Sequence, residues 1–102
     1  MAVFHDSAGG VTSESLKFWR ATKPKLGTIL SIACGSHSDV EYNTMVTGTD
    51  GVALLSGFGC GYSGTGPMGL VELLFDLGFK DVARNVIVNK CVFYVTPEAR
   101  AR

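Results

Sequence analysis

Cys34-Gly-Ser-His37-Ser-Asp39 sets a thiol, an imidazole and a carboxylate within six residues. Two chemistries could use that set. A nucleophilic thiol needs a depressed pKa, here from His37 with Asp39 orienting the ring, and would make the chain a small hydrolase or transferase. A metal site needs a fourth ligand that the local sequence lacks, so Cys60, Cys91 or His5 would have to arrive by folding. Against both, Cys34 alternates with Leu30 and Ile32 as a small core residue does, and His37 sits among turn residues. Cys34, His37 and Asp39 therefore stand as candidates without an assigned catalytic role, and no metal ligand is assigned.

The second set is the glycine segment Gly57-Phe-Gly-Cys-Gly-Tyr-Ser-Gly-Thr-Gly-Pro-Met-Gly69. It contains Gly59-x-Gly61-x-x-Gly64, which between a first strand and its helix would hold a pyrophosphate on backbone N–H groups. The strands ahead of it read as an antiparallel meander, and about twenty residues on, where an acid would bind ribose, only Asp81 qualifies. A Walker loop is excluded because no Gly-Lys-Ser or Gly-Lys-Thr occurs. Ser63 does not form a nucleophile elbow, since Thr65 stands where the second glycine belongs. The segment is expected to act through its conformation, as a ligand or interface loop. Phe58, Gly59, Gly61, Tyr62, Ser63, Gly64, Thr65 and Gly66 are the candidate ligand contacts, with Trp19 a further aromatic. N–H groups near Thr65 to Gly69 could face a small anion at a helix start. No cofactor is called for.

The elements that must position these groups follow from periodicity. Thr28 to Cys34, Val40 to Thr47 and Val52 to Phe58 alternate apolar and polar residues, and Gly48-Thr-Asp-Gly51 has hairpin composition. Short turns join only antiparallel neighbours. Pro67 then opens a helix in which Leu70, Val71, Leu73, Leu74, Phe75 and Leu77 cover most of the circumference, leaving Glu72 and Asp76 on a narrow polar stripe, and Gly78 closes it. Val86 to Val95 reads as a last strand, bent at Asn89-Lys90. Thr12 to Thr22 suits strand or helix, with the strand preferred, leading into a hairpin at Lys23-Pro24-Lys25-Leu26-Gly27. The fold class is α+β: an antiparallel sheet of four or five strands with one main helix, about residues 67–77, on one face.

Composition bounds what such a domain does. Nine basic and nine acidic residues balance in 102, so the clustered cations of a nucleic-acid surface are not expected. Hydrophobic residues make up 46% and charged ones 18%, against about 25% charged in ordinary soluble domains. That composition excludes disorder. It also predicts that some apolar surface is covered by an identical copy, a homodimer being favoured. The excess is concentrated in Leu70 to Leu77 and the final strand, where the copy is expected to dock. Met1 to Gly10 carries His5 and Asp6 where an export signal would be apolar, and no run approaches the roughly 20 apolar residues of a membrane span. Three widely spaced cysteines without a C-x-x-C pair suit a reduced cytoplasm. The whole chain, 1–102, reads as one domain.

Gly61-Tyr-Ser-Gly-Thr-Gly-Pro-Met-Gly-Leu70, running into Val71-Glu-Leu-Leu74, resembles a segment of small uncharacterised bacterial mobile-element proteins, including integron gene-cassette products. The resemblance covers about a fifth of the chain. It implies a compact, often oligomeric α+β domain with a binding or accessory role, and carries over no catalytic residue.

Overall fold

The computed structural model describes residues 2–35, 42–61, 64–79 and 92–95. Five strands, β1 (Ala2–His5), β2 (Ile29–Gly35), β3 (Thr44–Gly48), β4 (Gly51–Leu55) and β5 (Val92–Val95), form one sheet in the order β1-β4-β3-β2-β5. Helices α1 (Thr12–Thr22) and α2 (Thr65–Asp76) pack on one of its faces. The α+β architecture expected from periodicity is the one observed. The pairs β2–β3, β3–β4 and β2–β5 are antiparallel, whereas β1 lies parallel to β4.

The meander forms where alternation places it. Ile32 and Cys34 of β2, Val46 of β3, and Ala53 and Leu55 of β4 all point to the helices and are buried. Thr49 and Asp50 make the tight β3–β4 turn. The described part of the last strand is Val92–Val95; the rest of the segment expected from Val86, including Asn89-Lys90, lies outside the described residues.

Two N-terminal elements differ from expectation. Thr12–Thr22 is a helix and not a strand: Ser15, Leu16, Trp19 and Thr22 are its buried residues, spaced three and four apart. Two members of that stripe are polar, which hides the helical period from a hydrophobic count. Lys23–Lys25 continues as one 3-10 turn in place of the expected hairpin, because Pro24 has no N–H to extend an α-helix. Ala2–His5, ahead of any element expected from sequence, is a strand whose partner β4 is remote in the chain.

α2 ends as the glycine at position 78 predicts. Gly78 (φ 90°) donates to Phe75 O at 3.0 Å and Phe79 N–H reaches Leu74 O at 2.8 Å, a Schellman closure that also buries Phe79. Leu70, Leu73, Leu74 and Leu77 are covered within the chain itself. Of the Leu70 to Leu77 segment Phe75 stays 54% exposed, and the other exposed large apolar side chains among the described residues are Val3 (60%), Val11 (50%), Leu30 and Met68 (45% each) and Met45 (42%). Gly69 lets α2 approach closely: a Cβ there would meet Phe58 Cδ1 at 2.9 Å and collide with the Thr12 methyl. Across the helix pair, Glu72 and Asp76 are not an idle stripe. Arg20 lies 3.6 Å from Glu72, and Asp76 takes Lys23 Nζ at 3.0 Å and the indole N–H of buried Trp19 at 3.2 Å.

Candidate functional site

Successive residues of a strand alternate between the two faces of the sheet. The register places His5, Leu54, Met45, Ala33 and Tyr94 in one lateral row, and Val3, Val52, Thr47 and Ser31 in the next. None of these nine is an acid, a lysine or an arginine. The first row sits near the carboxyl ends of β1, β4 and β2, the position at which open α/β sheets generally seat ligands. A groove of about 370 Å³ opens there, with Ala33, Met45 and Leu54 as its floor and Tyr42, Asn43 and Thr44 at its end.

The His5 end of the row is held by hydrogen bonds. Tyr42 Oη lies 3.0 Å from His5 Nδ1 and donates to the Asp6 carbonyl at 3.3 Å, the two rings being tilted by 51°. The phenol thus ties the imidazole of His5 to the backbone just beyond β1, and whether Nδ1 donates or accepts in that contact depends on the ring's tautomer.

Beneath this pair, Asp6 is 2% exposed and neither ion pair among the described residues involves it. Its carboxylate is satisfied by neutral donors. Oδ2 accepts from the Ser15 hydroxyl at 2.5 Å and from Ser56 N–H at 3.0 Å, while Oδ1 accepts from the Ser56 hydroxyl at 2.8 Å. The same hydroxyls then act as acceptors, Ser15 from Gly57 N–H at 2.9 Å and Ser56 from Gly10 N–H at 3.1 Å. This network ties the β1–α1 loop to the end of β4 and the first glycine of the glycine segment. It fixes where β1 ends, and hence where His5 stands.

Of the residues singled out from sequence, Cys34 reaches the groove only from below. Its thiol is buried, 3.2 Å from Thr44 Oγ1, and Cys60 Sγ lies 3.5 Å from its carbonyl oxygen. Burial pushes the Cys34 thiol up to about 12; the Thr44 hydrogen bond opposes that rise and the nearby Cys60 adds to it. A thiol so held is the reverse of an activated nucleophile. His37 and Asp39 lie outside the described residues, as do Tyr62 and Ser63. Phe58 is a core side chain, as is Trp19, each 1% exposed, so neither ring offers a surface to a ligand. Gly59 and Gly66 are buried; Gly61 and Thr65 are exposed and Gly64 half-buried. The amide of Asn43 donates to the Phe58 carbonyl, joining the groove's end to the glycine segment.

His5, Asp6, Ser15, Tyr42 and Ser56 belong to no motif. The available signal was local: the short apolar run Ala2-Val3-Phe4 followed by His5, Asp6 and the Gly9-Gly10 pair, a strand-to-helix junction in miniature. Among the described residues no group of three or more His, Cys, Asp or Glu could hold a metal ion, and no helix is long and apolar enough to cross a membrane. Compared with protein-family models, curated proteins and solved structures, the chain matches none.

Proposed function

We propose that the chain is a small homo-oligomeric binding module of the cytoplasm, with an accessory role of the kind its resemblance to integron-cassette proteins implies. The carrying observation is the groove on the uncovered sheet face: an apolar floor of Ala33, Met45 and Leu54, with Tyr42, Asn43 and Thr44 at one end. Concave apolar surface with a few fixed polar groups is the general form of a small-molecule site. The glycine segment supports this floor through the Asn43–Phe58 bond and need not touch the ligand. Hydrolase or transferase chemistry at Cys34 has less support, because burial holds the thiol in its protonated form. Self-association has independent support in the exposed Val3 and Met45, whose cross-strand rows hold no acid, lysine or arginine among the described residues.

A fragment library of mixed charge, screened by amide chemical shifts on the full chain, tests the binding reading. Ligands are expected to move Ala33, Tyr42, Met45 and Leu54 together. Hits confined to the Leu16–Phe75 groove between the helices, or scattered over the surface, would remove it. Sedimentation at micromolar concentration tests the assembly: a mass near 10.8 kDa would refute self-association.

A further inference from the structure

We propose that the chain dimerises along β1, two copies pairing antiparallel at this edge so that a single sheet runs through both. This inference rests on the self-association reading above and names the surface that makes it. β1 is the outermost strand on its side of the sheet. Its parallel ladder to β4 uses alternate residues: Ala2 N–H donates to Asp50 O at 3.4 Å and Asp6 N–H to Leu54 O at 3.1 Å, and Phe4 lies between them in the same register. Val3 and His5 therefore turn their backbone N–H and C=O groups away from β4. Among the described residues no backbone group answers theirs, and Val3, at 60%, is the most exposed of the large apolar side chains described.

An open edge of this kind invites another strand, and chains that must keep it single interrupt it with proline, lysine or a bulge. Ala2-Val3-Phe4-His5 holds none of these and pairs with β4 in unbroken register. A second copy is the occupant that the strand itself specifies. Antiparallel pairing obeys a two-fold axis, so an edge is complementary to itself. With the axis at Phe4, Val3 of each copy faces His5 of the other, and each such pair exchanges two N–H to C=O bonds. All the outward backbone groups of Val3 and His5 are then used. The two Phe4 side chains, half-buried against their own cores, meet at the intervening closely spaced pair, where aromatic rings pack across strands. Neither strand carries a carboxylate, lysine or arginine, so the copies approach without like-charge repulsion between them.

Hydrogen exchange of the backbone amides in the full chain, at protein concentrations above and below the dissociation constant found by sedimentation, reads the edge directly. Phe4 N–H, bonded within the sheet, should exchange slowly at both. Val3 and His5 N–H should exchange at least about tenfold more slowly in the dimer than after dilution. Val3→Pro removes one outward N–H at an edge position where proline leaves the ladder to β4 intact, and should return a monomer that keeps the slow Phe4 amide. If the unaltered chain dimerises while Val3 and His5 exchange equally fast at both concentrations, the edge is refuted and self-association stands. A Val3→Pro variant that dimerises as tightly as the unaltered chain has the same meaning, and should that variant fail to fold, the exchange of the unaltered chain decides alone. If the unaltered chain sediments as a monomer, this inference and the self-association reading fall together.

Discussion

Removing the Asp6 carboxylate should cost a large share of this domain's stability. Asp6→Ala deletes the acceptor of four hydrogen bonds, from the Ser15 hydroxyl, Ser56 N–H, the Ser56 hydroxyl and, at the longer distance of 3.5 Å, Ala8 N–H. The donors differ in what they can do next. Ser15 is 0% exposed, so its hydroxyl is stranded; Ser56 is half-buried and can recover water on its side chain. Counting one fully stranded donor and one partly stranded N–H at about 1–3 kcal/mol each gives a loss of about 2–5 kcal/mol. A domain of this size has about 5–15 kcal/mol to lose. In urea, with a slope of about 1–3 kcal/mol per molar, the midpoint should fall by about 0.7–5 M. A double-mutant cycle with Ser15→Ala isolates the mechanism: without that hydroxyl, deleting the carboxylate strands one donor fewer, and the two losses should fall short of additivity by about 1 kcal/mol or more. An Asp6→Ala loss under about 0.5 kcal/mol, or strict additivity, would refute the hub.

Three further outcomes test other joints of the fold. Asp76→Ala leaves the indole N–H of buried Trp19 without its acceptor and removes the carboxylate partner of Lys23, which keeps its bond to the backbone carbonyl at 76; a loss of about 1–3 kcal/mol is expected with a changed Trp19 emission, and unchanged stability and emission would contradict the contact. Cys34 holds its proton in the folded state up to about 12, against 9.0 ordinarily. The folded chain therefore binds the extra proton as pH rises from about 9 to about 12, and this thiol's contribution lowers stability by about 1.4 kcal/mol per unit over that window and not below it. Cys34→Ala should make alkaline denaturation shallower by that slope, and an identical profile would show the thiol to be accessible. Gly69→Ala drives a methyl against Phe58 and Thr12; the helix-favouring gain of alanine should be outweighed by about 1–3 kcal/mol of overpacking, and a stabilised variant would mean that the α2 contact yields.

The legible and illegible parts of this fold differ in where their partners lie. β2, β3 and β4 could be read because each alternates and pairs with a neighbour across a short connection, and α2 because its leucines and Gly78 carry both period and stop. β1 could not, since its pairing runs from Ala2 to Gly51 and nothing in four residues announces a partner so distant. α1 was obscured by the same event. Ser15 belongs to the buried stripe only because Asp6 waits nine residues earlier to accept its proton, so a count of apolar spacing finds Leu16 and Trp19 and misses the helix between them.

The candidate site inherits that difficulty. Its row of His5, Leu54, Met45, Ala33 and Tyr94 draws one residue from each of five strands, and such a row exists only once the register does. The sets visible in the chain were contiguous, the Cys34 to Asp39 cluster and the glycine segment. Packing accounts for the described members of both: strand alternation turns Cys34 into the core, and Gly57 and Gly69 let Phe58 and α2 close on α1. The glycines thus bear on function at one remove. By admitting Phe58 to the core they place its carbonyl where Asn43 can reach it, and Asn43 in turn anchors the start of β3 beside Tyr42, so that loosening the glycine segment should disturb the groove without any glycine touching its occupant.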